Sequence, residues 1–161
     1  MTSASSLYLF SFERAHSDPL AFIPLGVRFY LDRCGLRLSL AQWQGLPEAD
    51  RAQLASVEPA LDDASAAAFA ALIDRCFSTS GSASSTDPVE RQDPEGADLL
   101  APAAVPETVV SQAAQHGIAG PTQTAWAGLS TGQRYALAKL ARKARRSDDF
   151  ALAMREFGIA G

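Results

Sequence analysis

Few side chains in this sequence have the types and spacing that catalysis or metal binding needs. His16 and His116 are its only histidines, and neither falls in a His-x-x-x-His or Cys/His cluster able to hold zinc or iron. No metal and no cofactor is therefore expected. His116 falls at the end of an expected helix, where a cation complements the exposed carbonyls. Cys34 and Cys76 lack Cys-x-x-Cys spacing and read as reduced, buried thiols rather than as a nucleophile or a disulfide. Asp62 and Asp63 could be drawn as an acid and a base, but acidic residues that open a helix are ordinary caps. There is no Gly-x-Gly-x-x-Gly turn, Walker loop or Gly-x-Ser-x-Gly elbow, and the chain does not read as an enzyme.

Two groups of arginines and lysines remain. Lys139, Arg142 and Lys143 fall on one helical face, and with Arg145 and Arg146 they make a basic stripe over 139–146. It could grip phosphate or an acidic partner, or be a solvated face that complements the helix C-terminus. Arg51 and Arg134 stand at equivalent positions of two similar segments, which favours an internal ion pair or carbonyl clamp over ligand binding.

These residues have to be positioned by helices. The chain has 161 residues, 47% of them hydrophobic, which suffices for a core without disulfide or metal. A net charge of -4 and an acidic isoelectric point disfavour nucleic acid as the partner. The start of the chain does not read as a signal peptide and no window has the length of a membrane span, so a cytoplasmic protein is expected.

Pro24 opens an expected helix carrying Val27, Leu31 and Cys34, and Gly35 stops it in the left-handed conformation. Ser39 and Gln42 form a capping box before Trp43, and Gly45 ends that turn. A helix follows from Pro47, then another over about 62–77. The same signals return downstream. Pro106, Val109 and Gly117 lie 82 residues after Pro24, Val27 and Gly35, and Trp126, Gly128, Arg134 and Leu137 lie 83 after Trp43, Gly45, Arg51 and Leu54. This reads as a duplication.

The expected architecture is all-α: about six helices as two diverged three-helix repeats with a pseudo-twofold relation, residues 22–77 and 105–161, packed as one domain. Residues 1–21 form an N-terminal arm whose aromatic stretch, Leu7 to Phe12, is extended in propensity. Tyr8, Phe10 and Phe12 are its candidates for partner binding, as Lys139, Arg142 and Lys143 are for the stripe. Residues 78–104, rich in Ser, Pro and Asp, read as a disordered linker. Its five acids against Arg91 equal the net charge of the whole chain.

Two blocks are similar to a known family. Phe22-Ile23-Pro24-x-x-Val27-Arg28-Phe29-x-Leu31-Asp32-x-Cys34-Gly35-Leu36-x-Leu38-Ser39-Leu40-x-Gln42-Trp43 and Leu129-Ser130-x-x-Gln133-Arg134-Tyr135-Ala136-Leu137-x-Lys139-Leu140 resemble the bacterial nitrate reductase-associated proteins. The resemblance implies a role around nitrate assimilation and supplies no catalytic residues. It points to an accessory protein whose partner is nitrate reductase or a maturation factor that delivers its cofactor. The alternative is a regulatory nucleic-acid or small-ligand binder that uses the stripe.

Overall fold

Prolines, glycines and small hydroxyl residues set where each helix starts and stops. The computed structural model describes residues 7–15, 17–79, 90–94, 100–142 and 148–159. The described residues form nine α-helices, a 3-10 turn at Pro19–Ala21 and two very short strands. The chain is thus mostly helical, with more helices than the six expected. The count rises because Gly45 and Gly128 detach each five-residue Trp helix from its successor, and because Ser11–Arg14 of the arm is itself a helical turn, α1.

The chain divides into two compact units: residues 1–9 with 13–95, and residues 10–12 with 96–161. In the first, α2 (Leu25–Cys34) packs on α5 (Asp63–Thr79), and α4 (Glu48–Ala55) packs on both. Pro24 is the N-cap of α2 and offers it no side-chain acceptor, which the Glu13 carboxylate supplies by accepting from Leu25 N–H at 2.9 Å. Gly35 ends α2 at φ 67°, a conformation glycine adopts without the Cβ clash. Ser39 and Gln42 make the reciprocal capping box that opens α3 (Leu40–Gln44). Val27, Phe29, Tyr30, Trp43, Leu54, Phe69 and Ile73 fill the core.

In the second unit, α8 (Thr131–Ala141) packs against α6 (Glu107–Gln115) and α9 (Asp148–Glu156). Thr122 caps α7 (Gln123–Ala127), and Ser130 with Gln133 forms a second capping box at α8. Val109, Trp126, Ala136, Leu137, Phe150 and Met154 are buried throughout. Ser147, which precedes α9 and is a residue type that caps helices, lies outside the described residues.

The linker expectation is corrected at its described parts. Helix α5 runs to Thr79. Strand β2 (Glu90–Arg91) pairs antiparallel with β1 (Leu36–Arg37), Leu36 opposite Arg91. Leu100 and Ala101 are buried. These residues have the apolar side chains and backbone partners that the bulk composition of 78–104 conceals. Residues 80–89 and 95–99 lie outside the described set.

Candidate functional site

Each tryptophan sits at a corner that pins a strap of chain. In the first unit the indole N–H of Trp43 donates to the carbonyl oxygen of Leu20 at 2.8 Å, and Arg51 Nη1 donates to the same oxygen at 2.9 Å. Gln44 holds the neighbouring carbonyl of Ala21 at 2.9 Å. In the second unit Trp126 donates to Pro102 at 2.6 Å, and Gln123 takes the Ala103 carbonyl at 2.7 Å while accepting from Val105 N–H. Both indoles are wholly buried. Arg134 forms no bond to the Pro102 carbonyl. Nε of Arg51 and Nε of Arg134 are both buried without a hydrogen-bond partner among the described residues.

Thiols and phenol are likewise turned inward. Cys34 Sγ donates to the Ala66 carbonyl at 3.3 Å, and burial raises the thiol above its ordinary value. Cys76 is buried and raised for the same first cause. Neither is poised as a thiolate. The Tyr30 hydroxyl donates to the Glu58 carbonyl at 2.7 Å and accepts from Ala60 N–H at 3.0 Å, while its ring stacks on Phe69. Desolvation raises its pKa. Asp62 accepts from both the amide and the hydroxyl of Ser65, a helix-opening cap that lowers its carboxyl pKa. Asp63 pairs with Arg33.

The arm corrects two expectations. Phe10 and Phe12 are buried, stacked on each other at 5.6 Å, and Phe10 meets Phe157 edge-on at 5.2 Å. They serve the second unit's core and present no aromatic surface. Tyr8 is half-buried in the first unit, with its N–H donating to the Ala55 carbonyl at 2.8 Å. Its ring covers Gly26, where a Cβ would come within 2.9 Å of Tyr8 Cδ1. Arg14 fastens the segment by donating to the carbonyls of Leu7 and Leu9.

Of the basic stripe, Lys139 is half-buried with its ammonium 6.0 Å from the Tyr135 ring centre. Arg142 is exposed at the C-cap of α8, and Lys143 lies outside the described residues, as do Arg145 and Arg146.

Arg142 also borders a groove of about 350 Å3 in the second unit, with Glu107, Thr108, Ser111, Gln112 and Gln115 of α6. Gln112 forms its floor at 1% exposure, while Ser111 and Gln115 are exposed. A polar floor with hydroxyl, amide and guanidinium groups around it offers donors and acceptors but no nucleophile paired with a base. Sequence reasoning picked out Arg142 and missed the rest. The only local signal was that Ser111 and Gln112 stand 82 residues after Phe29 and Tyr30, polar where those are aromatic. A smaller cleft lies by His116, Ile118, Asp148, Leu152 and Arg155, where the His116 ring stacks on Phe150.

Among the described residues, no group of three His, Cys, Asp or Glu side chains is placed to hold a metal ion, and no helix is long and apolar enough to cross a membrane. The protein-family model described as conserved nitrate reductase-associated protein matches residues 9–157. Neither the curated proteins nor the solved structures gave a match.

Proposed function

Because the chain belongs to the conserved nitrate reductase-associated protein family, we propose that it is a non-catalytic, cytoplasmic accessory protein of nitrate assimilation. In this reading it acts by binding a protein, either nitrate reductase or a member of its maturation machinery. The match across residues 9–157 supports the association.

One observation carries the mode of action. The side chains with the most chemistry to offer are tied to the main chain: Cys34 to Ala66, Tyr30 between Glu58 and Ala60, and Arg51 with Trp43 to Leu20. They serve the fold, and what the protein offers outward is surface. Among the described residues, large apolar side chains that stand on it are Phe22, at 55% exposure, Leu40, Val110 and Leu152.

The matched caps, left-handed glycines and buried indoles of the two units support descent from one duplicated helical unit. The pairing of Leu20 with Pro102, and of Ala21 with Ala103, extends that correspondence upstream of the helices, at the same offset of 82.

Affinity capture of the tagged protein from cells moved from ammonium to nitrate tests the proposal. Recovery of nitrate reductase or of a protein handling its cofactor is the expected result. Capture under nitrate that contains neither would overturn it.

A further inference from the structure

Helix α9 is covered on one side only. Phe150, Ala153 and Met154 turn into the second unit's core and are wholly buried. Asp148, Leu152 and Arg155, spaced four and three residues apart, share a different face, and all three are exposed. Along that face runs the cleft of about 270 Å3, lined by Ala151 and Leu152 from α9 and by Ile118 from the chain that follows α6. Two residues on, Gly120 packs against Val110, whose side chain lies 3.5 Å from where a Cβ on that glycine would stand. Leu152 and Val110, 44% and 48% exposed, are thus connected through residues 118–120 rather than scattered singly.

The charges at the two ends of this face are opposite. Asp148 and Arg155 stand about 10 Å apart along the helix axis, and neither side chain makes an ion pair or hydrogen bond among the described residues. Such a face is complementary to itself. The midpoint of 148 and 155 falls between Ala151 and Leu152. A half-rotation about an axis through that midpoint sets each Asp148 against an Arg155 and brings the two leucines together beside small alanines. A parallel pairing would instead oppose acid to acid and base to base.

We propose that α9 pairs antiparallel with α9 of a second copy of this chain, Asp148 of each meeting Arg155 of the other and Leu152 entering the cleft beside Ile118. Apolar contact at the centre supplies the attraction, and the two charge pairs at the rim set the register. A face of this size lies at the low end of specific interfaces, so the pair forms and parts with concentration. The inference rests on the second unit alone and not on the nitrate reductase reading.

Sedimentation equilibrium of the full chain, from micromolar to millimolar, reads the association, and the wild type should approach twice the monomer mass. Asp148→Arg and Arg155→Asp each place like charges at both ends of the pair, and each should weaken the dimer about tenfold or more. An equimolar mixture of these two variants should dimerise again, because every contact then joins an arginine to an aspartate, and the double variant should recover for the same reason. Leu152→Glu should abolish the dimer, and Arg37→Glu, an exposed charge change on the first unit, should leave it as it is. Far-UV circular dichroism and melting verify that each variant is folded. A wild type that stays monomeric throughout would overturn the proposal. So would a dimer that survives Leu152→Glu, or one that Leu152→Glu dissolves while the mixed charge variants fail to pair. A monomeric wild type whose Leu152→Glu variant loses nitrate reductase in the capture experiment would give this face to that partner and overturn self-pairing. Failure of the capture with the dimer intact would instead remove the nitrate reductase reading and leave the α9 pair.

Discussion

Trp126 donates its indole N–H to the carbonyl oxygen of Pro102, and at 2.6 Å this bond fixes a strap that composition alone assigns to a linker. Trp43 holds Leu20 in the same way in the first unit. Trp→Ala at either corner removes a fully buried side chain and should cost about 3–5 kcal/mol. Trp→Phe keeps much of the packing and strands the carbonyl, which should cost about 1–3 kcal/mol. Denaturant titration followed by circular dichroism reads both. An exposed indole, emitting as in water and neutral to truncation, would contradict the burial.

Leu100 gives a second prediction. It is 1% exposed, so Leu100→Ala should cost about 2–5 kcal/mol, and replacing all of 78–104 with a Gly/Ser linker should lower the melting temperature sharply. Unchanged melting in both would restore the whole stretch to a dispensable linker.

Two of the left-handed glycines are separable. Gly35 has φ 67° and Gly117 has φ 66°, so Ala at either incurs the same backbone penalty of about 1–2 kcal/mol. A Cβ at Gly35 would also collide with the Gln92 carbonyl oxygen, whereas a Cβ at Gly117 meets nothing within 4 Å. Gly35→Ala should therefore melt well below Gly117→Ala, and equal melting would count against the pairing of β1 with β2.

Glu13 completes α2 by accepting from Leu25 N–H. Glu13→Ala should destabilise by about 1 kcal/mol, with Glu13→Gln intermediate because the amide oxygen still accepts but the charge at the helix N-terminus is gone. A neutral Glu13→Ala in thermal melts would show that water serves the amide as well.

The pH dependence comes from burial of the thiols and of Tyr30. Cys34 and Cys76 are raised from 9.0 and Tyr30 from 10.0, so the unfolded chain gives up these protons first as pH rises. Their contribution is fully present below pH 9.0 and is lost progressively above it, and stability measured from pH 8 to 11 should fall. Cys34→Ser with Cys76→Ala should flatten the first part of that fall. The thiols should also react slowly with a disulfide reagent in the native state at neutral pH.

The legible parts of this fold were those written in local chemistry. Ser39–Gln42 and Ser130–Gln133 are capping boxes within four residues, and Gly35 stops a helix by its own backbone freedom. What local signals could not carry was long-range. The aromatic alternation around Phe10 says that the segment needs burial, but nothing nearby says that Phe157 supplies it. Nothing local tells Leu100 from Leu99 as the buried one, and the anchor of this stretch shows only when Pro102 is seen under an indole 24 positions away. The groove escaped because Ser111, Gln112 and Gln115 of α6 meet Arg142 at the end of α8 only in space, which no local spacing records.

The packing of the arm also fixes an order of events during synthesis. Phe10 and Phe12 leave the ribosome well before Phe157 and before Glu156, which receives the Ser11 N–H at 2.7 Å across 145 positions. That end of the second unit's core cannot close until Glu156 and Phe157 have emerged, and two phenylalanines must wait without their final cover. Ribosomes stalled shortly before Glu156 should carry chains whose N-terminal arm is readily cut by chymotrypsin, and release of the finished chain should abolish the cut.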